Sequence, residues 1–197
     1  FIAKQVEGGR QAFVICPLIE GPEAIQARAA TEEHERLSVD VFPELRLGLL
    51  HGKMALREKE DVMALFQRGE VHVLVSTPVV EVGIDVPNAS VMLIDGADRF
   101  GLSQLHQFRG RVGRGQHESY CILLAESPGQ DARERLKLVE RIQDGFELAE
   151  EDLRLRGPGD YLGTRQSGLP SLKVARVTDQ DILALARNEA VRILDSD

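Results

Sequence analysis

The chain is poor in cysteine, has no long apolar run and carries more acid than base. Two cysteines occur among 197 residues, Cys16 and Cys121. Both sit inside apolar runs, "AFVICPLI" and "SYCILLAE", and far apart, so they read as buried free thiols rather than a disulfide or redox pair. A reducing compartment, the cytoplasm, is the expectation. No apolar run approaches the ~20 residues a membrane span requires, and the opening "FIAKQVEGGRQ" lacks the basic start and apolar centre of a secretory leader. A formal net charge of -8 excludes binding of a polyanion through bulk charge, so any nucleic-acid contact must be local. Internal repeats and low-complexity tracts are absent.

Complete nucleotide and metal motifs are also missing. "GLLHGKM" at 48–54 is one residue short, between its glycines, of the phosphate-binding loop GxxxxGK[ST], and Met54 offers magnesium no hydroxyl. "GPGDYLG" at 157–163 is one residue too long for a dinucleotide fingerprint and follows a polar helix rather than a strand. His34, His51, His72, His106 and His117 show no ligand spacing, so no metal site is expected.

What is present is an alternation of strands and helices. Continuous apolar runs at 12–19, 45–50, 71–77, 90–95 and 119–125 read as strands covered on both faces. Helical patterns at 23–37 and 54–68 lie between them, which implies an α/β fold with a mostly parallel sheet. After residue 126 the character changes. Residues 131–157 read as two helices broken at Asp144-Gly145, most simply a helical hairpin. The glycine- and proline-rich stretch 157–173 reads as a loop, and a last helix starts near Asp179. The expected division is 1–126 and 127–197.

Against this acidic background, "QFRGRVGRGQ" at 107–116 holds three arginines and three glycines. If the helix at 102–109 continues, Arg111 and Arg114 lie three residues apart on one side of it, near enough to converge on an anion. Guanidinium suits a phosphate because it is planar, permanently charged and offers paired donors. Residue types alone leave this reading level with a solvated basic turn.

Order and context separate the two. "STPVVEVGIDVPNAS" at 76–90 follows a buried strand; then come a strand, the arginine segment and another strand. This order resembles the second RecA-like lobe of superfamily 2 helicases, with Thr77 to Asp85 similar to motif V (TxVxxxGID) and Gln107, Gly110, Arg111, Gly113 and Arg114 similar to motif VI (QxxGRxGR). "FELAEEDLRLRGPGDYLGTRQSG" at 146–168 is similar to the translocation segment shared by the RecG branch-migration helicases and the bacterial transcription-repair coupling factor. "GTRQSG" is closer to the RecG family.

The resemblance implies a P-loop NTPase-type lobe with helices on both faces of its sheet, followed by a helical hairpin, a loop and a C-terminal helix. It implies ATP and Mg2+ as cofactors, held mainly by a first RecA-like lobe that carries the phosphate loop and is absent from these 197 residues. Arg114 would be the arginine finger and Arg111 its companion, with Gln107, Gly83 and Asp85 on the nucleotide side. His51, Gly52, Ser76, Thr77, Arg165 and Gln166 would meet DNA. Arg135, Arg156 and Gln166 would change contacts as the lobes close. For Arg135 and Arg156 the alternative is simple ion pairing with hairpin acids, and for His51 a polar cap on a strand end. The implied function is ATP-driven remodelling of branched double-stranded DNA by a monomer, in company with its first lobe and a wedge domain. A coupling-factor motor that displaces RNA polymerase and a non-catalytic phosphate binder are the competing readings.

Overall fold

A computed structural model of the chain describes residues 1–17, 21–78, 86–156, 185–189 and 192. Two compact units are present, Phe1–Gln143 and Asp144–Asp197. The first holds α1 (Ile2–Glu7), β1 (Gln11–Ile15), α2 (Glu23–Arg36), β2 (Leu47–Leu50), α3 (Leu56–Gln67), β3 (Val73–Ser76), β4 (Ala89–Ile94), α4 (Leu102–Arg109), β5 (Tyr120–Leu123) and α5 (Gln130–Arg141). The second unit begins with α6 (Gly145–Arg156). The first compact unit therefore includes α5, which the sequence groups with the segment after residue 126.

The five strands form one sheet in the order β2-β3-β1-β4-β5, and every pairing is parallel. All residues of β1 and β3 are buried, which is why these runs are apolar without alternation. On one face Ala12, Val14, Val73, Val75 and Val91 pack with Ile2 and Val6 of α1 and Ala30 of α2. On the other, Phe13 meets Phe66 of α3 edge to face, ring centroids 4.9 Å apart. Helices thus cover both faces, as expected. Edge strand β5 is only half-buried along its length.

Helix α1 falls on a stretch to which the sequence assigns no element. Ile2 and Val6, four residues apart, are its buried side chains, and six residues are too few for a periodic signal to stand out. The expected break at Asp144-Gly145 has a direct cause. Asp144 Oδ1 accepts from the backbone N–H of Phe146 at 2.8 Å and of Glu147 at 2.9 Å, the arrangement that starts a helix. The loop at 157–173 and the start of the last helix lie outside the described residues; residues 185–189 and 192 are helical. Among the described residues, no helix is long and apolar enough to cross a membrane.

A long polar side chain is buried at the start of the central strand β1. Gln11, 2% exposed, donates its amide to the carbonyls of Phe66 at 2.6 Å and Val71 at 2.7 Å, and its Oε1 accepts from Asn88 at 3.2 Å. It ties the start of β1 to the end of α3 and to the approach of β4. Replacing Gln11 with Leu should cost about 1–3 kcal/mol, the penalty for leaving buried partners unpaired. Urea denaturation should show a lower midpoint with an unchanged slope; an unmoved midpoint would contradict this role.

Candidate functional site

Register aligns the carboxyl ends of all five strands. Leu50 pairs with Ser76, Ser76 with Ile15, Ile15 with Ile94 and Ile94 with Leu123. The next residue continues the ladder in each case: Thr77 N–H donates to Leu50 at 3.1 Å, Cys16 to Ser76 at 2.8 Å, Asp95 to Ile15 at 3.0 Å and Leu124 to Ile94 at 2.9 Å. Carboxyl ends of parallel strands are the usual ligand edge of such sheets. The structure brings His51, Gly52, Ser76 and Thr77 together there, on the neighbouring strands β2 and β3.

Within this group the roles differ. His51 and Gly52 are half-buried, whereas Ser76 and Thr77 are buried. The Ser76 hydroxyl donates to the Thr77 carbonyl at 2.6 Å, so it is directed into the fold. Lys59 Nζ donates to the Gly52 carbonyl at 2.7 Å. A Cβ at Gly52 would stand 1.6 Å from Glu23 Oε1, so the bare α-carbon is what lets this carboxylate rest on the turn.

The arginine segment departs from the expected geometry. Helix α4 does not continue through Arg111 and Arg114; it ends at Arg109, with Gly110 as its cap. Gly113 adopts φ +81°, a left-handed conformation that a helix cannot contain and that glycine alone enters cheaply. Arg114 is exposed, and its Nε donates to the Gly110 carbonyl at 2.9 Å, placing a cation at the negative end of α4. Arg111 is half-buried and Gln107 is exposed on the last turn. The two arginines are therefore ordered by a glycine turn rather than by helical spacing.

A second glycine fixes where that turn lies. A Cβ on Gly115 would fall 2.3 Å from the Pro87 carbonyl oxygen, so backbone packs on backbone there. Arg10 Nη2 and His117 Nδ1 are 3.0 Å apart. Pro87 precedes β4 and Arg10 precedes β1, so residues 115–117 run along the amino edge of the sheet, opposite to His51 and Thr77. Gly83 and Asp85, expected on the nucleotide side, lie outside the described residues, as do Arg165 and Gln166; Arg156 ends α6, and its side chain also lies outside them.

Half-buried Arg135 donates through Nη2 to the Asp98 carbonyl at 2.8 Å. Arg109, which the sequence reading passed over, bonds across to α5 and its end. Its Nη1 donates to the carbonyls of Val139 at 2.5 Å and Ile142 at 2.7 Å, and its Nη2 to that of Gln143 at 3.1 Å and toward His106 Nδ1 at 2.9 Å. The available signal was a third arginine outside the motif spacing. Beside it lies a cleft of about 780 Å³, walled by Arg109, Gly110, Val112, Cys121, Leu136 and Val139 among others.

Neither thiol is poised for chemistry. Burial pushes Cys16 up to about 12, with Glu33 and Asp95 adding to the effect, and pushes Cys121 up to about 11 against the opposing charge of Arg109. Among the described residues, no group of three or more His, Cys, Asp or Glu side chains is placed to hold a metal ion.

Comparison with known proteins adds names to this geometry. The family described as "Helicase conserved C-terminal domain" matches residues 2–116, and that described as "ATP-dependent DNA helicase RecG, domain 3, C-terminal" matches residues 142–197. ATP-dependent DNA helicase RecG of Synechocystis sp. is 52% identical over 197 residues, 100% of this chain and 24% of the relative. That of Bacillus subtilis is 49% identical over 199 residues, 100% of this chain and 29% of the relative. The chain thus spans about a quarter of the length of these curated relatives. A solved structure of RecG bound to a three-way DNA junction is 46% identical, with a TM-score of 0.70, over 94% of this chain and 23% of that one. Dbp5 of S. cerevisiae bound to RNA and ADP BeF3 is 16% identical, with a TM-score of 0.52, over 79% of this chain and 40% of that one, a likeness of fold alone.

Two measurements probe the site. Gly115→Ala should destabilise the chain by about 1–3 kcal/mol, as over-packing against an immovable neighbour does; a melting temperature equal to that of the parent would show that the contact with Pro87 is loose. Cys16 and Cys121 hold their protons above the ordinary thiol value of 9.0. The unfolded chain therefore releases these protons first, and the stability they contribute is complete below about pH 9 and lost as pH rises toward 11 to 12. Alkylation at neutral pH should be slow until denaturant is added, and rapid labelling of the folded chain would refute that.

Proposed function

Because the chain belongs to the helicase conserved C-terminal domain family, we propose that it is the second motor lobe, with the translocation element, of an ATP-driven double-stranded DNA translocase that remodels branched DNA such as stalled forks and Holliday junctions. The observation that carries this reading is an ordered arginine-glycine turn, Gln107 to Gly115, in a chain without a phosphate loop. The triphosphate and Mg2+ would be held mainly by a first RecA-like lobe, and a wedge domain would engage the branch. The enzyme would act as a monomer in the cytoplasm. We assign the motor lobe to residues 1–126 and the translocation element to 127–197.

Exposed Arg114 fits one side of such a site, and Gln107 stands on the same approach. Arg114 must leave the Gly110 carbonyl to reach a phosphate, giving up a charged hydrogen bond of about 1.5–3 kcal/mol. An arginine finger accelerates phosphoryl transfer by ~10³–10⁵, roughly 4–7 kcal/mol of barrier. The gain exceeds the loss, so closure of the lobes would decide when hydrolysis proceeds. Arg111 would steady the same charge, and Gly83 and Asp85 would border the nucleotide.

DNA would be met at the other edge. His51 and Gly52 form the accessible turn, Thr77 and Ser76 its floor, and contacts of this kind hold the backbone without reading sequence. Arg165 and Gln166 would touch the duplex, while Arg135, Arg156 and Gln166 would exchange partners as the lobes close. The match of residues 142–197 to the RecG domain favours this reading over a coupling-factor motor, and the motif order favours it over a simple phosphate binder.

In the two-lobe enzyme, Arg114→Ala should lower DNA-stimulated ATP turnover by about 10³-fold or more with junction binding retained. Gln166→Ala should spare turnover but lower the junctions unwound per ATP. Equal loss of both activities in both variants would refute the assignment. The 197 residues alone should hydrolyse no ATP, and measurable turnover by the purified chain would overturn the division of labour.

A further inference from the structure

The turn after β2 carries an acid that belongs to another element. Glu23 is the first residue of α2, and its side chain reaches across to Gly52. Its Oε1, Cδ and Cγ all lie within 3.1 Å of where a Cβ at Gly52 would stand. Any larger residue at 52 would expel the carboxylate; glycine admits it. Glu23 is exposed on a long, flexible stem, and exposed side chains of this kind change rotamer within nanoseconds.

The turn on which this carboxylate rests is rich in donors. Both of its first carbonyls are taken: that of His51 accepts from the Met54 N–H at 3.2 Å, and that of Gly52 from Lys59 Nζ at 2.7 Å. The Lys59 ammonium brings three donors in all, and one suffices for the Gly52 carbonyl. The His51 N–H points at the Met54 sulfur at 3.4 Å, a weak acceptor. Among the described residues, His51 Nδ1 is buried and has no hydrogen-bond partner. The cation of Lys59 and the anion of Glu23 therefore meet the same residue, Gly52, from two different helices. A carboxylate and a phosphate oxygen ask for the same surroundings, positive charge and hydrogen-bond donors.

We propose that Glu23 is a tethered competitor for the DNA backbone at the His51–Gly52 turn: its carboxylate rests where a phosphate binds and swings aside when the duplex arrives. This rests on the reading of that turn as a DNA contact. The consequence is a weaker grip. A motor that advances must release each phosphate it holds, and an acid tethered beside the contact opposes that phosphate in every cycle. Two like charges ~4 Å apart in water repel enough to change affinity by about fivefold. Because Glu23 is exposed, salt screens this repulsion.

The test measures binding of a labelled three-way DNA junction to the two-lobe enzyme at low and at high salt. Glu23→Gln keeps the shape of the side chain and removes its charge. Glu35→Gln removes the same charge from the far end of α2, about 18 Å away at ~1.5 Å per residue, beyond the ~10 Å screening length at about 0.1 M salt. Glu23→Gln should bind the junction about fivefold more tightly at low salt, with the gain shrinking at high salt, and Glu35→Gln should match the parent. The junction concentration that half-saturates ATP turnover should fall with Glu23→Gln by the same factor. Unchanged or weaker binding by Glu23→Gln would overturn the proposal, as would equal gains in both variants or a gain that persists at high salt. His51→Ala and Lys59→Ala separate the two ways of failing. If they weaken binding and Glu23→Gln does not strengthen it, the turn meets DNA and the competitor alone is refuted. If none of the three changes binding, the reading of the turn as a DNA contact fails, and the proposal fails with it.

Discussion

Strand β1 has no free surface. Its five residues are buried, β3 and β4 occupy both of its edges, and helices cover both of its faces. Every other placement follows from that confinement. The pairing of Ile15 with Ser76 and with Ile94 sets where the neighbouring strands stop, and β2 and β5 inherit their register from those two. Without it, His51 and Thr77 would share no edge, and Pro87 would not stand where Gly115 can reach it.

The three arginines of one short segment have three different surroundings. Arg114 is exposed at the negative end of α4, Arg111 is half-buried beyond the cap, and Arg109 is bonded to the carbonyls of another helix. Net charge could not foretell this, and neither could the count of arginines. What separates them is where α4 ends. Gly110 caps the helix and Gly113 enters the left-handed region, so side chains that helical spacing would align are sent in different directions.

Helix α5 illustrates how sequence grouping and physical grouping part company. By sequence it opens the segment that follows the sheet; by packing it belongs to the first compact unit. Two arginines explain the difference, Arg135 reaching Asp98 and Arg109 reaching the end of α5. Each bond joins residues more than 25 positions apart, which no local pattern reports. The half-buried exposure of β5 has the same origin, because an apolar run does not say which strand lies at the edge.

Most of the lobe was legible in the order of residues. Continuous apolar runs mark buried parallel strands because both faces are covered, and Asp144 marks a helix start because its carboxylate meets two free N–H groups. The glycines of the arginine segment were compatible with a turn, but the sequence left that reading level with a continuing helix, and Gly113 at φ +81° decides for the turn. The Asp144 and Gly113 constraints are local, expressed within a few positions of the residue that imposes them, whereas the one on Gly115 comes from Pro87, 28 positions away. Tertiary structure decided the rest: which strands are neighbours, that the Ser76 hydroxyl turns inward, and that Arg109 reaches the carbonyls at the end of α5. Those outcomes depend on hydrogen-bond partners that become adjacent only when the sheet closes, and the chain carries no separate mark for them.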